Sequence, residues 1–272
     1  MAKRICIIVG HGKSSSGGYD SGAVSKDGRY HEFKIAREIA KYCVSELKAA
    51  GFACDLMNYM GDLYLTERVK AVNAGNYDFI AEIHLNAGGG TGSEVFYYHD
   101  SATGKKYATE ISKAIATAFN FTNRGAKVKL GKNGKDYFAI IRDTEPCAVL
   151  VETAFIDTLS DLSKVSTAAG QCKCGEAIAR GIAAVNGVKL NAGAAASKPE
   201  RKIEKGAAVK LNKTPVYSSS TAKTARSKKT GTYYIYDAIE FNGRYRITNK
   251  PASCGKKPAA LYVTGYIDKG EI

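Results

Sequence analysis

Between Arg4 and Val185, apolar runs of strand length alternate with longer segments whose apolar residues recur every three to four positions. Strand followed by helix, repeated several times, leaves few folds open. It predicts an α/β domain with a central, mostly parallel mixed sheet covered by helices on both faces. Arg4 to Val9 reads as the first strand, stopped by Gly10-His11-Gly12, and Lys13 to Arg29 as a polar surface loop. Phe33 to Ala50 carries Phe33, Ala36, Ile39, Ala40, Cys43 and Leu47 at helical spacing, with Glu32 at its start and Gly51 as its stop. Phe52 to Tyr59 predicts a strand and Leu63 to Ala74 a helix. Asp78 to Ala87, DFIAEIHLNA, predicts a buried strand, Gly92 to His99 another, and Lys105 to Phe119 a helix. Polar, glycine-containing Asn123 to Asp136 precedes two apolar stretches, Tyr137 to Ile141 and Cys147 to Val151, split by Pro146. A last helix is expected over about Thr167 to Val185.

A chain of 272 residues can hold one medium domain and a small one. From Asn191 to Gly206 the composition shifts to Ala, Lys and Glu without a large apolar cluster, which reads as a linker. The expected boundaries are therefore 1–190, 191–206 and 207–272. Beyond the linker come short β-rich segments, Ala207 to Leu211, Tyr233 to Ile239, Gly243 to Thr248 and Leu261 to Ile267. Asn242-Gly243, between Ile239-Glu240-Phe241 and Arg244-Tyr245-Arg246, is the strongest hairpin signal. Short strands without helices predict a small barrel or sandwich.

Forty Lys and Arg against 26 Asp and Glu give a net charge of +14, which implies anionic surroundings: nucleic acid, acidic lipid or a wall polymer. Charge alone does not choose among them. The first apolar run, Ile5 to Val9, is shorter than the roughly 7 to 15 residues of a secretory signal and the roughly 20 of a membrane span. Synthesis in the cytoplasm and no membrane partner are expected. Seven cysteines, an odd number in mostly apolar contexts, read as reduced, largely buried thiols. Cys172 and Cys174 diverge on a helix and have no second pair, which argues against a zinc knuckle.

The strand Asp78 to Ala87 drives an imidazole, His84, into an apolar run and ends in a glycine-rich exit, Gly88 to Gly92. Taken alone, such a histidine is more often hydrogen-bonded than a ligand. Three partners change that reading: His11 after the first strand, Glu32 at the next helix start and Glu152 at the end of a later strand. Ends of parallel strands are where sites assemble. Two imidazoles and a carboxylate suit Zn²⁺, which takes three protein ligands in catalytic sites and leaves a fourth position to water. Glu152 fits the proton shuttle such chemistry needs. The spacings match no short metal motif, so the residues alone leave this grouping as one among several.

Five blocks occur in order: Gly10-His11-Gly12; Glu32 with Ala36; Leu65, Arg68 and Asn73; Ile83-His84-Leu85-Asn86-Ala87; and Pro146 to Ile156, PCAVLVETAFI. Together they resemble the type-3 family of zinc-dependent N-acetylmuramoyl-L-alanine amidases, particularly those of phage endolysins, over about residues 4 to 186. The resemblance implies that His11, Glu32 and His84 bind zinc and that Glu152 is the catalytic carboxylate. It implies hydrolysis of the amide joining muramic acid to the L-alanine of the stem peptide, with peptidoglycan as substrate and action on the wall after release. Ala154 and Thr158 stand where the family usually has Gly and Asn. Residues 207 to 272 resemble bacterial SH3-like wall-binding domains in Gly231 to Asp237, Gly243 to Thr248 and Val263 to Ile267.

Other polar residues have plainer readings. His31 is expected to be solvated or to support the metal ligands, and His99 to lie on the surface. Glu82 shares a strand face with His84 and reads as an orienting group or a salt-bridge partner. Asn86 caps a loop or holds substrate. Arg68 and Arg142 read by default as solvated charges, although Arg142 follows a strand and can bind a peptide carboxylate. Lys223 to Lys229 reads as a soluble loop first and an anion patch second. Gly88 to Gly92 is expected to border the substrate groove. A zinc peptidase cutting within the stem peptide uses the same chemistry. A wall-binding protein with a dead enzyme fold predicts a missing ligand, whereas all four residues are present. A nucleic-acid binder leaves both histidines and both glutamates unexplained.

Overall fold

In the computed structural model, which describes residues 3–190, 203–241 and 244–268, β1 (Arg4–Val9) leads through the short pair β2 (Gly12–Lys13) and β3 (Tyr19–Asp20) into α1 (Glu32–Ala49). Then follow β4 (Ala53–Met57), α2 (Leu65–Asn73), β5 (Phe79–Asn86), β6 (Ser93–Tyr97), α3 (Ala102–Phe119), β7 (Asn123–Lys127), α4 (Ala139–Arg142), β8 (Cys147–Phe155), α5 (Leu159–Val165) and α6 (Ala168–Val185). Six strands form one sheet in the order β4-β1-β5-β8-β6-β7, and only the β6–β8 pair is antiparallel. The central, mostly parallel mixed sheet expected from the alternation is present.

Strand periodicity divides the core. On β1, Ile5, Ile7 and Val9 join a large apolar cluster with α1, α3 and α6, while Cys6 and Ile8 join a smaller one with Val72 of α2 and Ile140 and Ile141 of α4. β5 obeys the same rule: Phe79, Ala81, Ile83 and Leu85 face the large cluster and Ile80 the small one. Glu82 and His84 therefore emerge on the α2/α4 face, as does Glu152 after Ala148 and Leu150 of β8.

Three local differences from the sequence reading have physical causes. The polar stretch Asn123 to Asp136 contains β7, which is mostly exposed and held by backbone pairing to β6 at the sheet edge, so it shows no apolar pattern. Part of Tyr137 to Ile141 is the single turn of α4. The added helix α5 begins after Thr158, with Asp161, Leu162 and Val165 buried.

The connection from β8 to α5 grips the glycine-rich exit of β5. Asp157 accepts from Gly88 N and Gly89 N, both at 2.8 Å, and Asp161 accepts from Thr91 Oγ1, Gly92 N and Phe155 N. Thr158, one of the two departures from the family pattern, donates its hydroxyl to Gly90 O at 2.7 Å. Ala154, the other, is fully buried.

The chain divides into two compact units, Met1–Ser197 and Lys198–Ile272. In the second, β9 (Ala208–Val216), β10 (Ser227–Phe241), β11 (Arg244–Thr248) and β12 (Gly265–Asp268) form an antiparallel sheet in the order β12-β11-β10-β9. Val209, Leu211, Val216, Ile235, Ile247 and Ile267 form its core. Tyr217, just past β9, bridges to Tyr266 on β12. The Asn242-Gly243 hairpin signal and most of the expected linker, 191–202, lie outside the described residues. The last strand starts at Gly265 rather than Leu261, because a 3₁₀ turn after Pro258 takes Ala259–Leu261.

Candidate metal centre

The parallel strands β1, β5 and β8 end at one edge of the sheet, and four side chains meet there. After Val9 the chain turns sharply through His11, whose φ of 64° is in the left-handed region that strains a residue with a Cβ. Asn58 Nδ2 holds this turn by donating to Val9 O (2.7 Å) and His11 O (2.8 Å), and Arg68 Nη1 also donates to His11 O. The imidazole Nε2 lies 3.2 Å from Glu32 Oε1, at the first residue of α1. His84 Nδ1 lies 2.8 Å from the same oxygen. One ligand atom from each of His11, Glu32 and His84 falls within 4.8 Å of the others, an arrangement that can hold a metal ion. Glu32 is fixed from behind, Oε1 accepting from Leu85 N and Oε2 from Ala23 N. Two glycines let the groups close in. A Cβ on Gly10 would lie 2.3 Å from the His84 ring, and one on Gly22 would lie 2.5 Å from Glu32 Oε2.

The far ring nitrogens are taken by carboxylates. Asp20 Oδ2 is 2.9 Å from His11 Nδ1, and Glu82 Oε2 is 3.1 Å from His84 Nε2. Such partners fix tautomer and ring orientation and make the near nitrogen a better ligand. Burial works against charge on Glu32, but the bonds to His11 and His84 outweigh it and hold the carboxyl well below its usual range. Burial likewise disfavours His84⁺, and the Glu32 and Glu82 contacts reverse this, raising its pKa well above that of free histidine.

Glu152 stands beside the cluster, paired in register with His84 on β5 and with Glu94 on β6. Burial pushes its carboxyl up to about 7; His84 pulls it down, and the charges of Glu32 and Glu94 push it further up. Its Oε2 is buried without a hydrogen-bond partner among the described residues. All four side chains line one cleft of about 560 Å³, with Leu65, Tyr137 and Phe138 among its apolar wall.

The Amidase_3 family model, described as N-acetylmuramoyl-L-alanine amidase, matches residues 5–184. The chain belongs to this family. Sporulation-specific N-acetylmuramoyl-L-alanine amidase of Bacillus subtilis (strain 168) is 31% identical over 226 residues, 81% of this chain and 81% of the relative. The endolysin of Bacillus phage SPP1 is 26% identical over 256 residues, 90% of this chain and 84% of the relative. Among solved structures, the catalytic domain of the CD27L endolysin targeting Clostridia difficile superposes with a TM-score of 0.57 at 31% identity, covering 70% of this chain and 99% of that one.

Within this amidase domain, several residues differ from their plain readings. Arg68 is buried rather than solvated, and its Nε donates to Glu82 Oε1 at 2.8 Å, with side-chain exposures of 5% and 2%. The order Arg68, Glu82, His84 is thus one hydrogen-bonded chain ending at the cluster of His11, Glu32 and His84. Arg68→Ala strips Glu82, a buried carboxylate, of its guanidinium and leaves it only the His84 ring, and a stability loss of about 3 kcal/mol is expected in urea unfolding. Asn86 donates to Glu94 and accepts from Ala87 N, so it caps the loop. Arg142 uses its guanidinium inside the chain, on Asp143 and on the carbonyls of Asp136 and Tyr137. His99 is exposed, in keeping with the surface reading, and is bound to buried Asp136 at 2.6 Å. His31 stands just before α1 with Nδ1 buried and unpartnered among the described residues, and it is not part of the ligand cluster. The cleft wall runs to Ala87 and does not include Gly88 to Gly92, which are held by Asp157, Thr158 and Asp161 instead. Sequence reasoning missed Asp20 and Glu94. Glu94 offers a readable signal, a carboxylate inside the predicted strand Gly92 to His99; Asp20 sits in a loop that has no periodicity to break.

Proposed function

We propose that this chain hydrolyses the amide between the lactyl group of N-acetylmuramic acid and the L-alanine of the stem peptide. In this reading His11, Glu32 and His84 would hold Zn²⁺, and Glu152 is the catalytic carboxylate. The observation that carries it is the convergence of two imidazole nitrogens and one carboxylate oxygen beside a buried carboxylate whose Oε2 is unpartnered among the described residues. The donor set fits zinc in kind and number, and carboxylates behind both rings are the usual support of zinc-bound histidines.

Zinc held there would supply a Lewis acid for the amide carbonyl and lower the pKa of a water to about 7. Glu152 Oε2 accepts the attacking water's proton and returns it to the departing alanine nitrogen, so the carboxylate is regenerated each turnover. Burial of the Glu152 carboxyl raises its affinity for a proton, which suits the accepting half of that task. Asp20 and Glu82 orient the two rings, and the apolar wall at Leu65 and Phe138 dries one side of the cleft.

We further infer that residues 207–272 form an SH3-like wall-binding module, joined through a linker at 191–206, and that the protein acts on the cell wall as an endolysin after release. The Tyr217–Tyr266 bridge, which draws the outer strands together, supports a closed small barrel. Product analysis tests the bond assignment. Digested cell walls are expected to gain free L-alanine amino termini and no other new termini; a new amino terminus within the stem would assign a peptidase instead.

A further inference from the structure

We propose that the second compact unit binds a linear phosphodiester polyanion of the cell wall through cations on and beside its β9–β10 ribbon. This rests on the wall-acting reading above and adds the chemistry of the ligand. The chain's charge is unevenly placed: residues 198–272 hold 16 Lys and Arg against 6 Asp and Glu, a net +10, whereas residues 1–197 net only +4. Two of the unit's six carboxylates are engaged away from the ribbon lysines: Asp268 is bound to Arg244 Nε at 2.7 Å and Asp237 to Arg246.

Lys210, Lys213 and Lys228 are exposed on the paired strands, where Lys228 stands opposite Pro215 and Lys210 opposite Thr232. Lys223 and Arg226 are exposed in the segment that enters β10. None of these five has a carboxylate partner among the described residues. Lys213 occupies a bulge with φ of 52°, its N–H received by Thr230 Oγ1. Glycine or asparagine is the easy occupant of that region, yet the position carries a cation. Unpaired lysines are strongly hydrated point charges without planar directionality. They match a repeating monoanion, whose bound counter-ions are released on contact, better than a neutral glycan or a peptide read by directional bonds.

The test uses the full chain and purified poly(glycerol phosphate), with dextran and a single-stranded oligonucleotide of equal charge as comparisons. Expected are binding to the poly(glycerol phosphate) and none to dextran, with affinity at least tenfold weaker at 200 mM than at 50 mM salt. The Lys210→Gln/Lys213→Gln/Lys228→Gln variant is expected to bind at least tenfold more weakly while hydrolysing a soluble muramoyl peptide at the unaltered rate. Absent binding at 50 mM salt, undiminished binding by the triple variant, or tenfold tighter binding to the oligonucleotide overturns the proposal. Polymer binding by a preparation that fails to hydrolyse the muramoyl peptide supports the surface assignment and counts only against the amidase reading.

Discussion

Glu152→Gln is expected to reduce kcat by about 10²–10⁴ while leaving zinc content unaltered, the range that removal of a general acid–base produces. The same substitution is expected to stabilise the metal-free protein at high pH. A carboxyl near 4.5 in the unfolded chain and pushed up to about 7 in the folded one binds more protons when folded. Stability from this group is therefore present below about pH 4.5 and falls as pH rises through about 7. Glutamine cannot ionise, so in chelator at pH 8 the variant is expected to exceed the parent by on the order of 3 kcal/mol, with the gain vanishing near pH 4. Urea unfolding at both pH values reads this directly. A lower stability of the variant at pH 8 would contradict the burial described for Glu152. Gain of stability with loss of activity is the pattern of a residue kept for chemistry rather than for folding.

Glu32→Gln is expected to abolish measurable zinc retention and activity together. It removes the only anion among the three ligand groups and replaces one of the two backbone-anchored oxygens by an amide that must donate where Leu85 N or Ala23 N now donates. Glu82→Gln provides the comparison. It spares the ligand set and weakens only the support behind His84, for which a roughly 10- to 100-fold loss of zinc affinity is expected. Zinc titration of the two variants should therefore rank Glu32→Gln well below Glu82→Gln. Equal losses would mean that Glu32 acts as scaffold rather than as ligand.

The sequence carries the sheet because its central strands are apolar on both faces, and it carries His84 and Glu152 because each breaks such a run at its C-terminal end. His11 is legible from the glycines that flank it. What the sequence hides is partnership across the fold. Arg68 looks like any helix-surface arginine until α2 is laid over β5, where it meets Glu82. Asp20 becomes a histidine partner only when the β2–β3 turn folds back over the cleft. β7 is invisible for a related reason, since an edge strand is made by backbone pairing and needs no apolar side chains. Thr158, a departure from the family pattern when read as sequence, is in the fold a tie on the glycine exit of the strand that carries His84.

The most direct measurement is zinc reconstitution of chelator-treated protein with muramoyl-peptide hydrolysis followed at each step. Hydrolysis is expected to vanish in the metal-free protein and to return in proportion to zinc, saturating at one equivalent, with each cleavage exposing an L-alanine amino terminus. Hydrolysis that persists without metal, or that fails to return with zinc in protein shown to be folded, would contradict the assignment of His11, Glu32 and His84.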